Sequence, residues 1–371
     1  MGRRLAVAAV LVLGAGSAAC AGDAAPSAGH SPAFDALVAL ATPGRWRSTG
    51  DDRIEVWVCR VPADSASAVY GGLPLRLAIT PQSVTAVVSS RVPAYFAAIS
   101  HGAYRPEFVP GGEVTMGAHD EPQACVDHAI AGAAPSTRAV LVVADAEHAD
   151  GQPGGFGSGG DPCPTAGPCA ESVARRAAYV GASDFDPDWG GSAPMDLVEH
   201  ELGHTLGWVH SGYDASAAQP YRSALDVMSN SAAPRDTDPS RRDAPDTLAI
   251  DRVMAGWLPL TDVTVAPASG AHVVLSPSTG VSGTRLLVLP VDANTFLTVE
   301  RLTPDGFDAH LPSAGIAVHR VRLVGGELQP LEPLVGAPPY TALLAPGGSL
   351  RSDRWRIAVD AGGEVTAQPA Q

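Results

Sequence analysis

The chain has 371 residues, of which 45% are hydrophobic, enough to bury the cores of two ordinary domains. Its formal net charge is −15 and its 24 basic residues form no block, which disfavours a nucleic-acid partner, because phosphate binding needs a clustered positive surface. The 40 glycines and 33 prolines indicate a loop-rich protein, but not one that is disordered throughout.

The first 20 residues are predicted to be an export signal. Arg3 and Arg4 precede an apolar stretch over 5–19, which is too short for a comfortable membrane span. The small residues before Cys20 resemble a bacterial lipobox, in which the cysteine is acylated and becomes the first residue of the mature protein. Ordinary signal-peptidase cleavage beside Cys20 stays open. The predicted location is therefore extracellular, as a free protein or as a cell-surface lipoprotein.

The other cysteines agree with export. With Cys20 set aside, four of the five cysteines remain, and an even number in an oxidising compartment favours disulfides. Cys163 and Cys169 lie in one Gly/Pro-rich loop, so we pair them with each other, which leaves Cys59 to pair with Cys125. The alternative is that some of the four are free and buried.

The chain after the signal begins with a predicted flexible tether over 21–44, in which 33–41 has the pattern of a short helix. Alternating residues over 53–61 predict a half-buried strand. Apolar residues at helical spacing over 83–100 predict one helix, which Pro93 ends or kinks.

The pattern then continues to alternate. A helix is predicted over 123–131, a central strand over 138–144, a loop over 150–169, a short strand over 177–181 and a helix over 195–208. Strands that alternate with helices predict an α+β domain of α/β-like arrangement over 45–262.

The composition changes after residue 262. Short apolar or alternating runs follow one another, separated by Gly, Pro, Asp or Ser, and no helical period appears. This pattern predicts an all-β, sandwich-like domain over 263–371. The runs lie at 264–265, 272–275, 286–289, 296–299, 316–321 and 355–359.

The segment HELGHTLGWVH at 200–210 points to metal chemistry. His200 and His204 are four residues apart, so on a helix they project from one face and can hold one Zn²⁺ at ~2.0–2.1 Å each. Glu201 can stand beside the metal without coordinating it. Gly207 can take the positive φ that ends a helix, which lets His210 approach the same metal. Three neutral nitrogen donors with an open position are typical of a catalytic zinc site.

The same segment resembles the extended zinc signature of the metzincin metallopeptidases. In that clan a methionine lies beneath the zinc on a downstream turn, and Met228 in the sequence DVMS stands at a matching distance. The resemblance implies a metzincin catalytic domain over 45–262, with His200, His204 and His210 as ligands. The DVMS turn, the stretch at 251–258 and the β-rich tail are most similar to gametolysin-type and immune-inhibitor-A-type secreted microbial peptidases.

We expect an exported, monomeric zinc endopeptidase that acts on protein or peptide substrates. Glu201 would be the general base toward a zinc-activated water, and Met228 would hold the ligands from below. The alternative is a surface-anchored binding lipoprotein with a non-catalytic zinc site and a ligand-binding β domain.

Two weaker features accompany the zinc motif. Tyr213 and Tyr221 could stabilise an oxyanion, although packing or surface roles are favoured for both. Asp184, Asp186 and Asp188 could contribute to a structural Ca²⁺ site, with an ordinary acidic loop as the simpler interpretation.

Overall fold

The computed structural model describes a mixed α+β chain with several sheets and few helices. Within the described part, no helix is long and apolar enough to cross a membrane. The described residues are 29–42, 45–64, 66, 68–69, 73–74, 76–117, 120–147, 154–160, 176–185, 193–212 and 221–370.

A five-stranded sheet with the order β4-β1-β5-β7-β6 organises the N-terminal half. Its central strand β5 is buried at every residue, as expected for a strand covered on both faces. The sheet is parallel except for β6, which lies at one edge and runs antiparallel to β7. The strands are β1 (Arg53–Arg60), β4 (Glu107–Thr115), β5 (Ala139–Ala144), β6 (Gly155–Ser158) and β7 (Ala177–Val180). A separate small hairpin joins β2 (Ala68–Val69) and β3 (Leu73–Pro74).

Two expectations about the elements of this half are corrected. The helix predicted over 83–100 is two helices, because Pro93 occupies the first turn of the second helix, where proline is tolerated. The loop predicted over 150–169 contains strand β6, which the glycines at 155 and 157 concealed. The helices are α1 (Pro32–Leu40), α2 (Pro81–Ser89), α3 (Val92–Ile99), α4 (Pro122–Gly132), α5 (Asp196–Thr205), α6 (Ala233–Thr237) and α7 (Ala249–Ala255).

The C-terminal region is built of strands in two larger sheets. One has the order β13-β12-β11-β10-β8, with β14 and β15 also paired to β12, and the other has the order β16-β17-β18-β9. The strands are β8 (Val263–Val265), β9 (Ala271–Val274), β10 (Leu286–Pro290), β11 (Thr295–Leu302), β12 (Gly315–Val324), β13 (Glu327–Leu328), β14 (Glu332–Pro333), β15 (Leu343–Leu344), β16 (Ser349–Ser352), β17 (Trp355–Val359) and β18 (Glu364–Pro369).

The larger C-terminal sheet is buried on both faces. On β10, Leu287 and Leu289 pack against the second sheet in a cluster that includes Trp355. Their neighbours Leu286 and Val288 belong instead to the main core of the N-terminal half. Since successive strand residues point to opposite faces, one sheet serves two cores. The N-terminal half and the C-terminal strands therefore share buried apolar surface.

Helix α1 lies in this shared core and not in a flexible tether. Ser31 caps the helix by accepting a hydrogen bond from the Phe34 amide, and Pro32 occupies the first turn. Phe34 and Leu37 are buried, and the Phe34 ring meets Phe296 of β11 edge-on at 5.6 Å between centroids. The tether predicted over 21–44 is corrected accordingly, because ordered chain is present by Gly29, whose amide donates to the carbonyl of Val265.

A disulfide joins β1 to α4. Cys59 and Cys125 are bonded, with their Cα atoms 5.9 Å apart, and both are fully buried. This pairing confirms the prediction for these two residues. Cys163 and Cys169 lie outside the described residues, so their pairing stays a prediction.

A cluster of buried carboxyl groups lies where the two halves meet, around the fully buried Arg252. Arg252 pairs with Asp246 at 2.5 Å. Burial raises the pKa of every carboxyl group in the cluster. The members are Asp226, Asp246, Asp251, Glu300 and Asp308.

Glu300 in this cluster makes stability depend on pH. Burial raises its pKa from 4.5 to about 7, although the Ala249 amide donates to its carboxylate. Between these values the folded state keeps a proton on Glu300 that the unfolded state has lost. The free energy of unfolding therefore falls as the pH rises from 4.5 to 7. We expect Glu300→Gln to be close to wild type in thermal stability at pH 5 and more stable at pH 8, by up to about 3 kcal/mol.

Thermal unfolding of both proteins across this pH range measures the effect. Glu327→Gln is the matched control, because Glu327 is exposed on β13. If thermal stability changes with pH in the same way for wild type and Glu300→Gln, Glu300 is already ionised in the folded protein at pH 5, which would contradict the prediction.

Candidate metal centre

Helix α5 has a defined end that sets the course of the following chain. Gly207 adopts φ +82°, and its amide donates to the carbonyl of His204 while the Trp208 amide reaches back to Gly203. These two bonds form a Schellman motif, in which glycine is favoured because a side chain is strained at positive φ. A Cβ at Gly207 would also lie 2.3 Å from the Trp46 ring. The chain therefore leaves the helix here and turns back toward it.

The turn brings three histidines together. The ring centroids of His200 and His204 are 5.0 Å apart, those of His200 and His210 are 5.3 Å apart, and those of His204 and His210 are 4.8 Å apart. One ring nitrogen from each lies within 4.8 Å of the others. His200 is buried, whereas His204 and His210 are half-buried. The group could hold a metal ion while leaving a side open to solvent.

Backbone carbonyls fix which nitrogen of two of these rings carries the proton. The Nδ1 atom of His200 lies 2.6 Å from the Val227 carbonyl oxygen, and that of His204 lies 2.8 Å from the carbonyl oxygen of Trp208. A carbonyl oxygen only accepts, so Nδ1 donates in both cases. Nε2 of each ring then keeps the lone pair that a metal needs.

The histidines are also held in the neutral form. Burial lowers the pKa of His200 well below its ordinary value, and it lowers that of His204 as well. Burial and the neighbouring His204 lower the pKa of His210 to about 4. Since a metal must otherwise displace protons from its ligands, these neutral rings suit metal binding at neutral pH.

Glu201 lies between α5 and the edge strand β6, and it is 3% exposed. The strand approaches the helix so closely that a Cβ at Gly155 would lie 2.7 Å from Oε1 of Glu201. A Cβ at Gly157 would lie 2.6 Å from the Cβ of His204. Two glycines spaced by two residues thus let an edge strand run directly beside the histidine group.

Met228 packs against the same helix from the other direction. It is fully buried, and a Cβ at Gly203 would lie 2.4 Å from its sulfur. Gly203 stands between His200 and His204 in the motif, so the methionine contacts the helix at the level of the two histidines. The turn that carries Met228 also supplies the Val227 carbonyl described above.

Tyr221 is brought to the histidine group. Its ring centroid lies 5.0 Å from that of His210 and 5.8 Å from that of His200, with 52% of the residue exposed. Burial, together with the charge of Glu201, raises its pKa, so the phenol keeps its proton at neutral pH. It can donate a hydrogen bond to an oxygen atom at the site.

Other predicted site residues fall outside the described part of the chain. These are Cys20, Cys163, Cys169, Tyr213, Asp186 and Asp188. The lipidation and calcium hypotheses therefore stay predictions. Among the described residues, the three histidines are the group that could hold a metal ion.

Sequence reasoning missed the groups that orient the histidines. The partners at Val227 and Trp208 are backbone carbonyls, which every residue has, so no sequence pattern could have identified them. Gly155 and Gly157 could have been noticed, because glycines at alternate positions beside Phe156 have the period of a strand whose one face meets another element closely.

No known protein-family profile matches the sequence, and comparison with curated proteins finds no match.

Proposed function

We propose that this chain is an exported, zinc-dependent endopeptidase of the metzincin type. The observation that carries the proposal is the convergence of His200, His204 and His210 on one position that could hold a metal, with the buried Glu201 on the same helix. Neutral imidazoles suit zinc, and three of them with an open side are typical of catalytic sites, whereas structural sites are closed by four ligands.

The residues of this chain have distinct roles in the proposed reaction. When bound, zinc would activate a water molecule near neutral pH and polarise the substrate carbonyl. Glu201 accepts the proton of the water as its oxygen adds to the carbonyl carbon. Glu201 then delivers this proton to the nitrogen as the C–N bond breaks, which leaves a carboxylic acid and an amine.

The edge position of β6 supports a peptide as the substrate. An extended peptide can add to a sheet edge through backbone hydrogen bonds, a recognition mode that tolerates many side chains. On β6 such a peptide would lie beside Glu201 and His204, because the strand itself contacts both residues. A scissile bond could therefore be presented without a deep pocket.

Export is proposed from the sequence of the first 20 residues, and acylation from the residues that precede Cys20. N-terminal analysis of the mature protein separates the two outcomes. An acylated Cys20 supports the anchored form, and an unmodified N-terminus supports free secretion.

The direct test of the proposal is hydrolysis of casein or gelatin by the purified mature chain. We expect cleavage that a chelator abolishes and that added Zn²⁺ restores, because the three histidines release the metal reversibly. Zinc binding without hydrolysis would contradict the enzyme assignment and favour the alternative of a binding protein with a non-catalytic site.

A further inference from the structure

The C-terminal region contacts the backbone of the third histidine directly. Leu331, between β13 and β14, donates its amide N–H to the carbonyl oxygen of His210 at 2.7 Å. The Leu331 side chain is fully buried in the core that the two halves share. The donor is therefore anchored on one side by apolar packing and aimed at the histidine on the other.

A second contact holds the turn that precedes Met228. The Ala224 amide donates to the Pro339 carbonyl at 2.5 Å, and the Ser223 hydroxyl donates to the carbonyl of Thr341 at 3.0 Å. Nε2 of His310 lies 2.7 Å from the Ala224 carbonyl oxygen, to which it can only donate. An apolar cluster covers these polar contacts, and it consists of Leu225, Leu302, Leu311, Ala317 and Ala342.

The contacts from the C-terminal region connect to two of the three histidines, one directly and one through the turn before Met228. The turn held at Ser223 and Ala224 continues to Val227, whose carbonyl accepts from His200. The backbone of His210 is held by Leu331. His204 differs, because its Nδ1 atom is held by Trp208 at the end of its own helix. The segment at 196–208 therefore supplies the partner of His204 itself, whereas the partners of His200 and His210 come from beyond it, at Val227 and Leu331.

We propose that the C-terminal strands are part of the metal site, with Leu331 as a positioning residue for His210. This inference rests on the metal-binding half of the proposed function and not on hydrolysis. Partners that orient metal ligands typically contribute about 10–100-fold to metal affinity, because an unrestrained ligand loses conformational entropy when the metal binds. Other described contacts near His210 are the bond from the Ser211 amide to the Met228 carbonyl and the packing of the His210 ring against Tyr221, neither of which involves the His210 carbonyl.

The test compares Leu331→Pro with Leu331→Ala in the full-length protein. Proline removes the N–H donor, whereas alanine keeps the donor and removes most of the buried side chain. Zn²⁺ affinity is measured by competition with a chelating dye, and the visible absorption spectrum of the Co²⁺-loaded protein reports ligand geometry. We expect Leu331→Pro to bind Zn²⁺ about 10–100-fold more weakly than Leu331→Ala, with an altered Co²⁺ spectrum.

A purely structural role for Leu331 predicts another result. Thermal unfolding of the metal-free variants measures lost packing, which both substitutions share, so lower stability with equal Zn²⁺ affinity would overturn the proposal. Should Leu331→Pro fail to fold, replacement of the amide before residue 331 by an ester keeps the side chain and removes the N–H donor. Unchanged Zn²⁺ affinity in the ester protein would likewise overturn the proposal.

The outcomes separate this inference from the proposed function. Wild-type protein that binds Zn²⁺ without hydrolysing peptides removes the peptidase assignment and leaves the positioning role standing. Wild-type protein that binds no metal overturns both.

Discussion

Glu201→Gln is expected to lower peptide hydrolysis by about 10²–10⁴-fold while the protein keeps its metal. Glutamine has the shape of glutamate but cannot accept the proton of the attacking water, so the general-base step is lost. Glu201 is not one of the three histidines that could hold the metal, so the histidine group stays intact in this variant. Measurement of kcat together with the zinc content of the purified variant tests both halves of the expectation.

Glu199→Gln is the matched control for this experiment. Glu199 lies on the same helix and is fully buried, and its Oε2 atom accepts a hydrogen bond from the Ala244 amide at 2.7 Å. Glutamine at 199 can still accept this bond through its carbonyl oxygen, so hydrolysis should remain near the wild-type rate. Near-wild-type turnover by Glu201→Gln would show that another group is the base, and equal losses in both variants would point to damage to the helix.

His204→Ala is expected to lose most of its bound metal and, with it, all chelator-sensitive hydrolysis. Wild-type protein should carry about one zinc per chain, because three converging imidazoles form a single site. With His204 removed, the two remaining histidines belong to different segments and present only two nitrogen donors. Metal content determined by elemental analysis after dialysis is the measurement.

His272→Ala serves as the control for a lost imidazole. His272 lies on β9, where its ring contacts Thr366 and Glu364 on the exposed surface. Its removal should leave the zinc content at the wild-type value. Full zinc occupancy in His204→Ala would mean that the metal is held elsewhere, and the assignment of this site would then be abandoned.

The parts of the site that were predictable from sequence are those within one local segment. His200, His204, Gly207 and His210 act through helix geometry and a helix end, which follow from spacing over eleven positions at 200–210. Helix α1 was recognised as an element, yet its burial was not, because an apolar helical stripe does not indicate which surface will cover it.

The remaining parts depend on contacts between distant segments. The bond from Leu331 to His210 uses only backbone atoms, so any residue except proline could supply it and no sequence pattern marks it. The carboxyl cluster around Arg252 was also missed, since its members are scattered from Asp226 to Asp308 and each resembles an ordinary surface acid. The burial of both faces of β10 in two different cores was also not predicted, because a continuous apolar run fits several kinds of core strand.

The place of α1 has a consequence for the order in which the protein matures after synthesis. The helix has nine residues, a length at which an isolated helix is barely populated in water. The surfaces that stabilise it come from α7 and from β10, β11 and β12, which leave the ribosome long after it does. The apolar surfaces that cover this helix are therefore complete only once the chain up to residue 324 has been made. The first element of the described chain thus gains its buried contacts only after strands from beyond residue 285 are available.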